Sequence, residues 1–316
     1  MSVPPALLPS ADTLAALSAI RKNQPLFEPG LRHILHLAGL PPDATITGTA
    51  GGSLPVFGVN HDLVLKFFSP LHQGHFANEL ASLRLLEGRA AFDTPRIRAS
   101  GTLETWSYLL MTRVHGTQLS ALWPDLDESK KITVCENLGT AAAALHRVHA
   151  TTDADAASWR AFIAGQAERC VEHHRARGLG ESLLARIPGY MAPLLAPITA
   201  APVRFLHTEF MLEHVFVDSA RLLVGGLIDF EPSMLGPVEY DFGAVALFIA
   251  EARPARFHAF LRGYGYPRTD TTARLLLTHT LLHRYSNLVW YMERLGPARA
   301  DTLEELEKAW FTIGPP

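Results

Sequence analysis

Four short stretches of this 316-residue chain carry the side chains that chemistry needs. The first is Gly48-Thr49-Ala50-Gly51-Gly52-Ser53, just ahead of apolar Val56 and Phe57. Gly-rich turns beside strands bring backbone N–H groups close to phosphate oxygens with no Cβ in the way, although an ordinary turn reads the same. The second is Lys66, set between Leu65 and Phe67. An ammonium inside an apolar strand is costly unless it meets a charge, and Glu79 on the next helix is the candidate partner. The competing assignment points Lys66 to solvent from a two-faced strand. The third is His207-Thr208-Glu209 with His214 five residues on, and the fourth is Asp229-Phe230 at the end of the apolar run 222–228. A carboxylate at a strand end, some twenty residues after a loop with His and Glu, suits a metal site facing a proton acceptor. Taken singly, Asp229 also fits a turn.

Positioning these groups falls to a frame with two characters. Pro55–Phe68 reads as an antiparallel hairpin turning at Asn60-His61-Asp62. Asn78–Leu86 has helical spacing and stops before Gly88, and a second strand pair is expected at Ile97–Gly101 and Trp106–Met111. This gives a β-rich part with one internal helix. After Gly116 the pattern turns helical: Ile132–His149, Ala156–Arg177, Ser182–Leu195, Tyr240–Ala252, Ala255–Tyr264, and nearly all of Thr272–Trp310 apart from Gly296-Pro297. A β island is expected at Phe205–Leu206, Val215–Val217 and Leu222–Ile228. The fold class is therefore α+β and two-lobed, a small β-rich N-lobe over residues 1–114 and a larger, mostly helical C-lobe over 115–316.

Composition bounds the function. Apolar residues at 48% and charged residues at 19% exclude a disordered chain and a coiled coil. A net charge of −3 gives no support for a nucleic-acid partner. Cys135 and Cys170 form no CxxC, which favours a reducing compartment over a disulfide scaffold. The N-terminus has no basic residue before Arg21, unlike a secretory signal, and runs such as Ala244–Ala250 are far shorter than a membrane span. The expectation is a cytoplasmic protein without a membrane partner.

A Gly-rich loop, a strand Lys, a helix Glu, a His-x-Glu loop and then Asp-Phe, in this order, resemble the protein-kinase-like fold. Tyr108-Leu109-Leu110-Met111-Thr112-Arg113-Val114-His115-Gly116 resembles the hinge of the aminoglycoside phosphotransferase family, and Asp229-Phe230-Glu231 and Tyr240-Asp241 resemble its closing motifs. Asn23-Gln24, Phe27-Glu28-Pro29, Leu54-Pro55-Val56 and Gly314-Pro315-Pro316 are most similar to the hygromycin B phosphotransferase branch. The resemblance implies an ATP-dependent (or GTP-dependent) kinase that phosphorylates a hydroxyl of a small molecule, an aminoglycoside-like antibiotic or another natural product, working as a monomer or homodimer. It implies that amides of Gly51, Gly52 and Ser53 cover the nucleotide phosphates, and that Lys66 holds the α/β-phosphates with Glu79 aiming it. By the same resemblance Met111 would line the adenine pocket, with hinge contacts from the Thr112 carbonyl and Val114 N–H. It further implies that Asp229 binds Mg²⁺, that Glu209 is the base and that Asp241 braces the catalytic loop.

The family loop reads His-x-Asp and then Asn, whereas this chain has His207-x-Glu209 and His214. Glu209 keeps the carboxylate one methylene longer. His214 stands where the second metal ligand belongs, and imidazole is a poor ligand for Mg²⁺, which leaves Mn²⁺, a single ion, or an oxygen from Glu213 or Glu231. Two alternatives compete with an active kinase. One is a pseudokinase that binds nucleotide or ligand without transfer. The other is a two-His, one-carboxylate centre of His207, Glu209 and His214. The acceptor pocket is expected beside the loop, with Trp159, Arg160, Glu168, His173, Trp290, Tyr291 and Glu293 as candidate lining, and the mixed charge of Ser158–Arg177 argues against a highly cationic acceptor.

Overall fold

The computed structural model describes residues 5–48, 52–150, 152–267, 269 and 271–312. The chain divides into two compact units. The first comprises Met1–Arg89, Asp93–His115 and Leu227–Pro232. Its centre is a five-stranded antiparallel sheet of β1 (Ile46–Gly48), β2 (Val56–Val59), β3 (Leu63–Phe68), β4 (Ile97–Leu103) and β5 (Trp106–Thr112), in the order β1-β2-β3-β5-β4. The expected hairpin and second strand pair are both present.

Period-two alternation sorts β3 onto two faces. Phe67 and Leu65 project to one side, where Phe57, Phe67 and Trp106 pack around Phe27 at centroid distances of 5.4 to 5.5 Å. Phe27 belongs to α2 (Gln24–Leu37), which follows α1 (Leu14–Ile20). These two helices correct the expectation of a single helix in this part of the chain. Their signals were a Thr13 side-chain cap on the Ala16 N–H and a buried stripe of Phe27, Leu31, Ile34 and Leu35, with Pro25 in the first turn and Pro29 inside obscuring the pattern. The opposite face of the sheet carries Val56, Val64 and Lys66. Near it runs α3 (Gln73–Leu86), one turn longer at its start than expected.

The second unit comprises Ala90–Phe92, Gly116–Gly226 and Ser233–Pro316. Its helices are α4 (Leu119–Leu122), α5 (Glu128–Leu145), α6 (Asp153–Arg175), α7 (Glu181–Leu184), α8 (Ile187–Ala200), α9 (Glu239–Ala244), α10 (Pro254–Tyr264), α11 (Thr272–Leu282), α12 (Leu288–Leu295) and α13 (Leu303–Phe311). Two small sheets accompany them. One is β6 (Thr117–Gln118), β8 (Val215–Val217) and β9 (Val224–Leu227); the other pairs β7 (Arg204–Leu206) with β10 (Met234–Gly236), a strand the sequence reading missed.

Several boundaries shift for local reasons. Asp127 caps the Lys130 N–H and so starts α5 before Ile132. The expected helix 240–252 gives way at Val245–Ile249 to a wider π turn. The long C-terminal helix is interrupted at Gly296-Pro297 as expected, and breaks once more after Leu282. Glu181–Ala200 has the length and apolar composition of a membrane-crossing helix, which the sequence reading did not find. It contains Arg186, Pro193 and Pro197, and its Ile198 carbonyl accepts a buried hydrogen bond from Trp159 Nε1 of α6 at 3.0 Å. Glycine decides one crossing: a Cβ on Gly139 of α5 would collide with the Phe260 carbonyl, and one on Gly263 of α10 with the Glu136 carbonyl. That close approach brings the end of α5 beside Tyr264.

Candidate active site

In the first unit Lys66 is the hub. Its ammonium lies 2.8 Å from Glu79 Oε2, 2.8 Å from Asp229 Oδ1 and 2.9 Å from Glu231 Oε2. The Lys66 side chain is 7% exposed and that of Glu79 2%, so the solvent-facing assignment for Lys66 does not hold. Burial opposes the ammonium, but the three carboxylates outweigh it and hold the lysine pKa well above its ordinary value. One ammonium cannot balance three carboxylates. Burial pushes Glu79 up to about 7 against the pull of Lys66, while Glu231, despite its own burial, is held below its ordinary value by Lys66 and His75.

Backbone hydrogen bonds fix Asp229 in this cluster. The Leu227 N–H donates to the Asp93 carbonyl at 3.0 Å, and Asn78 Nδ2 of α3 donates to the Glu231 carbonyl at 2.7 Å. Asp229 itself has φ 68°, a left-handed conformation that Asp tolerates better than most residues. Oxygen ligands from Glu79, Asp229 and Glu231 lie within 4.8 Å of one another. An all-oxygen donor set of excess negative charge fits a hard divalent cation. Glu231, one of the two residues expected as an alternative oxygen ligand, is in the cluster, whereas Asn78 was not singled out.

Of the phosphate loop, Gly51 lies outside the described residues. Gly52, at φ 90°, and Ser53 are exposed ahead of β2. Met111 is buried at the end of β5 opposite Val64. The Thr112 N–H donates to the Arg96 carbonyl at 2.9 Å, and Val114 is buried with no hydrogen bond from its N–H among the described residues.

In the second unit the loop between β7 and β8 carries Glu209 and His214, both partly buried. Asp241, fully buried on α9, holds the loop: its Oδ2 accepts from the His207 N–H at 3.0 Å and its Oδ1 from the Thr208 N–H at 2.6 Å. His146 Nε2 donates to Asp241 Oδ2 at 2.9 Å, and Tyr264 Oη donates to His146 Nδ1 at 2.9 Å. Thr208 sits at φ 69°, strained for a β-branched residue, and Arg284 Nη2 donates to its Oγ1 at 3.1 Å. The strain persists because Asp241 and Arg284 over-determine it. His214 Nδ1 donates to the Glu209 carbonyl at 2.8 Å. The His207 ring stacks on Phe210 at 5.0 Å, and its Nδ1 accepts from the Glu209 N–H at 3.3 Å. Ligand atoms of His207, Glu209 and His214 do not lie within 4.8 Å of one another, so the two-His, one-carboxylate centre is not assembled. His146, Tyr264 and Arg284 escaped the sequence reading because their roles come from helix crossings far apart in the chain.

Of the candidate acceptor residues, His173 lines a cleft. This cleft of about 310 Å³ is formed by Gln166, Arg169, Cys170, Glu172, His173, Ala176, Leu281 and His283. Trp159 and Tyr291 are core residues, and Trp290 is exposed under Arg294.

The model of the phosphotransferase enzyme family matches residues 45–276. The chain belongs to that family. Solved aminoglycoside phosphotransferases share its kinase-like fold. The GDP and kanamycin complex of APH(2")-IIia is 18% identical, covers 79% of this chain and 89% of its own, and superposes with a TM-score of 0.63. APH(3'')-Id from Streptomyces rimosus is 17% identical over 80% of this chain and 97% of its own, with a TM-score of 0.57. The streptomycin-ATP-APH(2")-IIa ternary complex is 13% identical over 89% and 97%, with a TM-score of 0.58. As a member of the phosphotransferase enzyme family, this chain is a small-molecule kinase acting on a hydroxyl group.

Proposed function

We propose that the protein transfers the γ-phosphoryl group of ATP or GTP to a hydroxyl of an aminoglycoside-like antibiotic or a related natural product. The observation that carries this reading is Lys66 held by Glu79, Asp229 and Glu231 in a buried charge cluster. Structural relatives bind GDP with kanamycin and ATP with streptomycin, which supports both nucleotides and a hydroxylated acceptor.

Lys66 would hold the α/β-phosphates, with Glu79 fixing the ammonium's direction. Amides from Gly51, Gly52 and Ser53 would cover the phosphates, and Met111, Thr112 and Val114 would receive the base. Asp229 would hold Mg²⁺, which when bound neutralises charge on the β- and γ-phosphates. His214 would serve a second ion, with Mn²⁺ the better match to imidazole. Glu209 would accept the acceptor hydroxyl's proton on its carboxylate, and Asp241 would keep it in place through the His207 and Thr208 amides. The family match supports transfer over the binding-only alternative. In the cleft beside His173, Glu172 is tied to Arg175 at 2.8 Å while Arg169 remains, so this surface suits an acceptor with few ammonium groups.

The test is acceptor-dependent ADP or GDP release across a panel of hydroxylated antibiotics that includes hygromycin B. Release with at least one acceptor, abolished in Asp229→Ala with the fold retained, supports the reading. Full activity in that variant would refute the site assignment.

A further inference from the structure

Arg113 follows β5, and its backbone N–H donates to the Asp62 carbonyl at 2.7 Å. Its guanidinium folds back across β2. A Cβ built on Gly58 would collide with Arg113 Nη2 and stand 3.6 Å from Arg113 Cζ, with Thr47 Oγ1 2.6 Å away on the neighbouring strand. Gly58 is buried, and so is Arg113 Nε.

Strand register decides which face this is. Gly58 pairs with Val64 and Val56 with Lys66, and opposed residues project from the same face as those two positions away. The guanidinium therefore covers the face from which Lys66 projects, two residues or roughly 7 Å farther along the strand. Toward that same end lie Met111 and Thr112, opposite Val64 and Leu63. A nucleotide with its phosphates at Lys66 and its base toward Met111 runs directly past Gly58.

We propose that Arg113 forms the ceiling of the nucleobase site, the purine stacking on its guanidinium plane, and that Gly58 lacks a side chain to leave the plane room. The assignment rests on the nucleotide reading above. Guanidinium stacks on aromatic faces through its plane as well as its charge, which an ammonium cannot reproduce. Stacking reads the π face that every base has, so Arg113 serves ATP and GTP alike.

Calorimetric titration of ATP, GTP and inorganic tripolyphosphate with Mg²⁺ tests this in the wild type, Arg113→Ala and Arg113→Lys. Both variants should bind ATP and GTP about tenfold more weakly and tripolyphosphate unchanged. Unchanged tripolyphosphate binding also shows that the variants are folded. Nucleotide binding by Arg113→Ala as tight as wild type or tighter would overturn the proposal, because the arginine would then only occlude the face. Equal weakening of all three ligands, or full rescue by lysine, would reduce Arg113 to a phosphate-attracting charge and overturn it as well. A wild type that binds tripolyphosphate but neither nucleotide would defeat the nucleotide reading itself, and the proposal with it.

Discussion

Asp241→Asn is the most informative single change, because one carboxylate supports the proposed catalytic loop through three hydrogen bonds. Its oxygens accept from the His207 and Thr208 N–H groups and from His146 Nε2, all at 2.6 to 3.0 Å and fully buried. Hydrogen bonds to a charged group contribute about 1.5–3 kcal/mol each. Asparagine keeps one oxygen, turns an NH₂ toward at least one donor and removes the charge from all three. The expected loss is about 2–5 kcal/mol, a large part of a typical stability of about 5–15 kcal/mol. Thr208 would then relax from φ 69°, carrying Glu209 with it. A shift of about 1 Å costs on the order of 100-fold in turnover. Urea unfolding measures the first quantity and kcat with the best acceptor the second. Tyr264→Phe is the control: it removes only the Tyr264 bond to His146, worth about 1 kcal/mol, and should spare turnover. An Asp241→Asn protein within about 0.5 kcal/mol of wild type and equally active would refute the bracing role.

Further expectations concern single side chains. Glu209→Gln should lower kcat by about 100-fold or more while leaving the nucleotide Kd unchanged, since a general base acts on the acceptor proton only. Parallel losses in kcat and nucleotide affinity by titration would make Glu209 structural instead. Glu79 has a folded pKa of about 7, above its ordinary value, so between these limits the folded protein holds a proton that the unfolded chain has released. Stability in EDTA should therefore fall as pH rises through that window, and Glu79→Gln should flatten the fall. An unchanged pH slope would contradict the buried charge excess around Lys66.

Local signals made much of this molecule legible. The β2–β3 hairpin announced itself through alternation and the Asn60-His61-Asp62 turn, and Lys66 stood out because an ammonium in an apolar strand demands a partner. Glu79 followed from helical placement alone. Asp229, marked by order and spacing at the end of an apolar run, meets the Lys66 ammonium at 2.8 Å. What stayed hidden depends on three-dimensional approach. No spacing rule links Gly139 to Gly263 or His146 to Tyr264, yet these pairs set the brace on Asp241. The N-terminal helices were obscured by Pro25 and Pro29, although the stripe of Phe27, Leu31, Ile34 and Leu35 was there to be read. Arg113 gave no sign at all, because only the strand register folds it over Gly58.

The most direct test of the phosphotransferase site is a thermal-shift titration with ATP and with GTP, each with Mg²⁺, with Mn²⁺ and with EDTA. A nucleotide at 100 times its Kd adds about 2.7 kcal/mol of stability. The site built on Lys66, Asp229 and Glu231 predicts stabilisation that needs a divalent ion and disappears in EDTA. The absence of any nucleotide effect under all six conditions would contradict it.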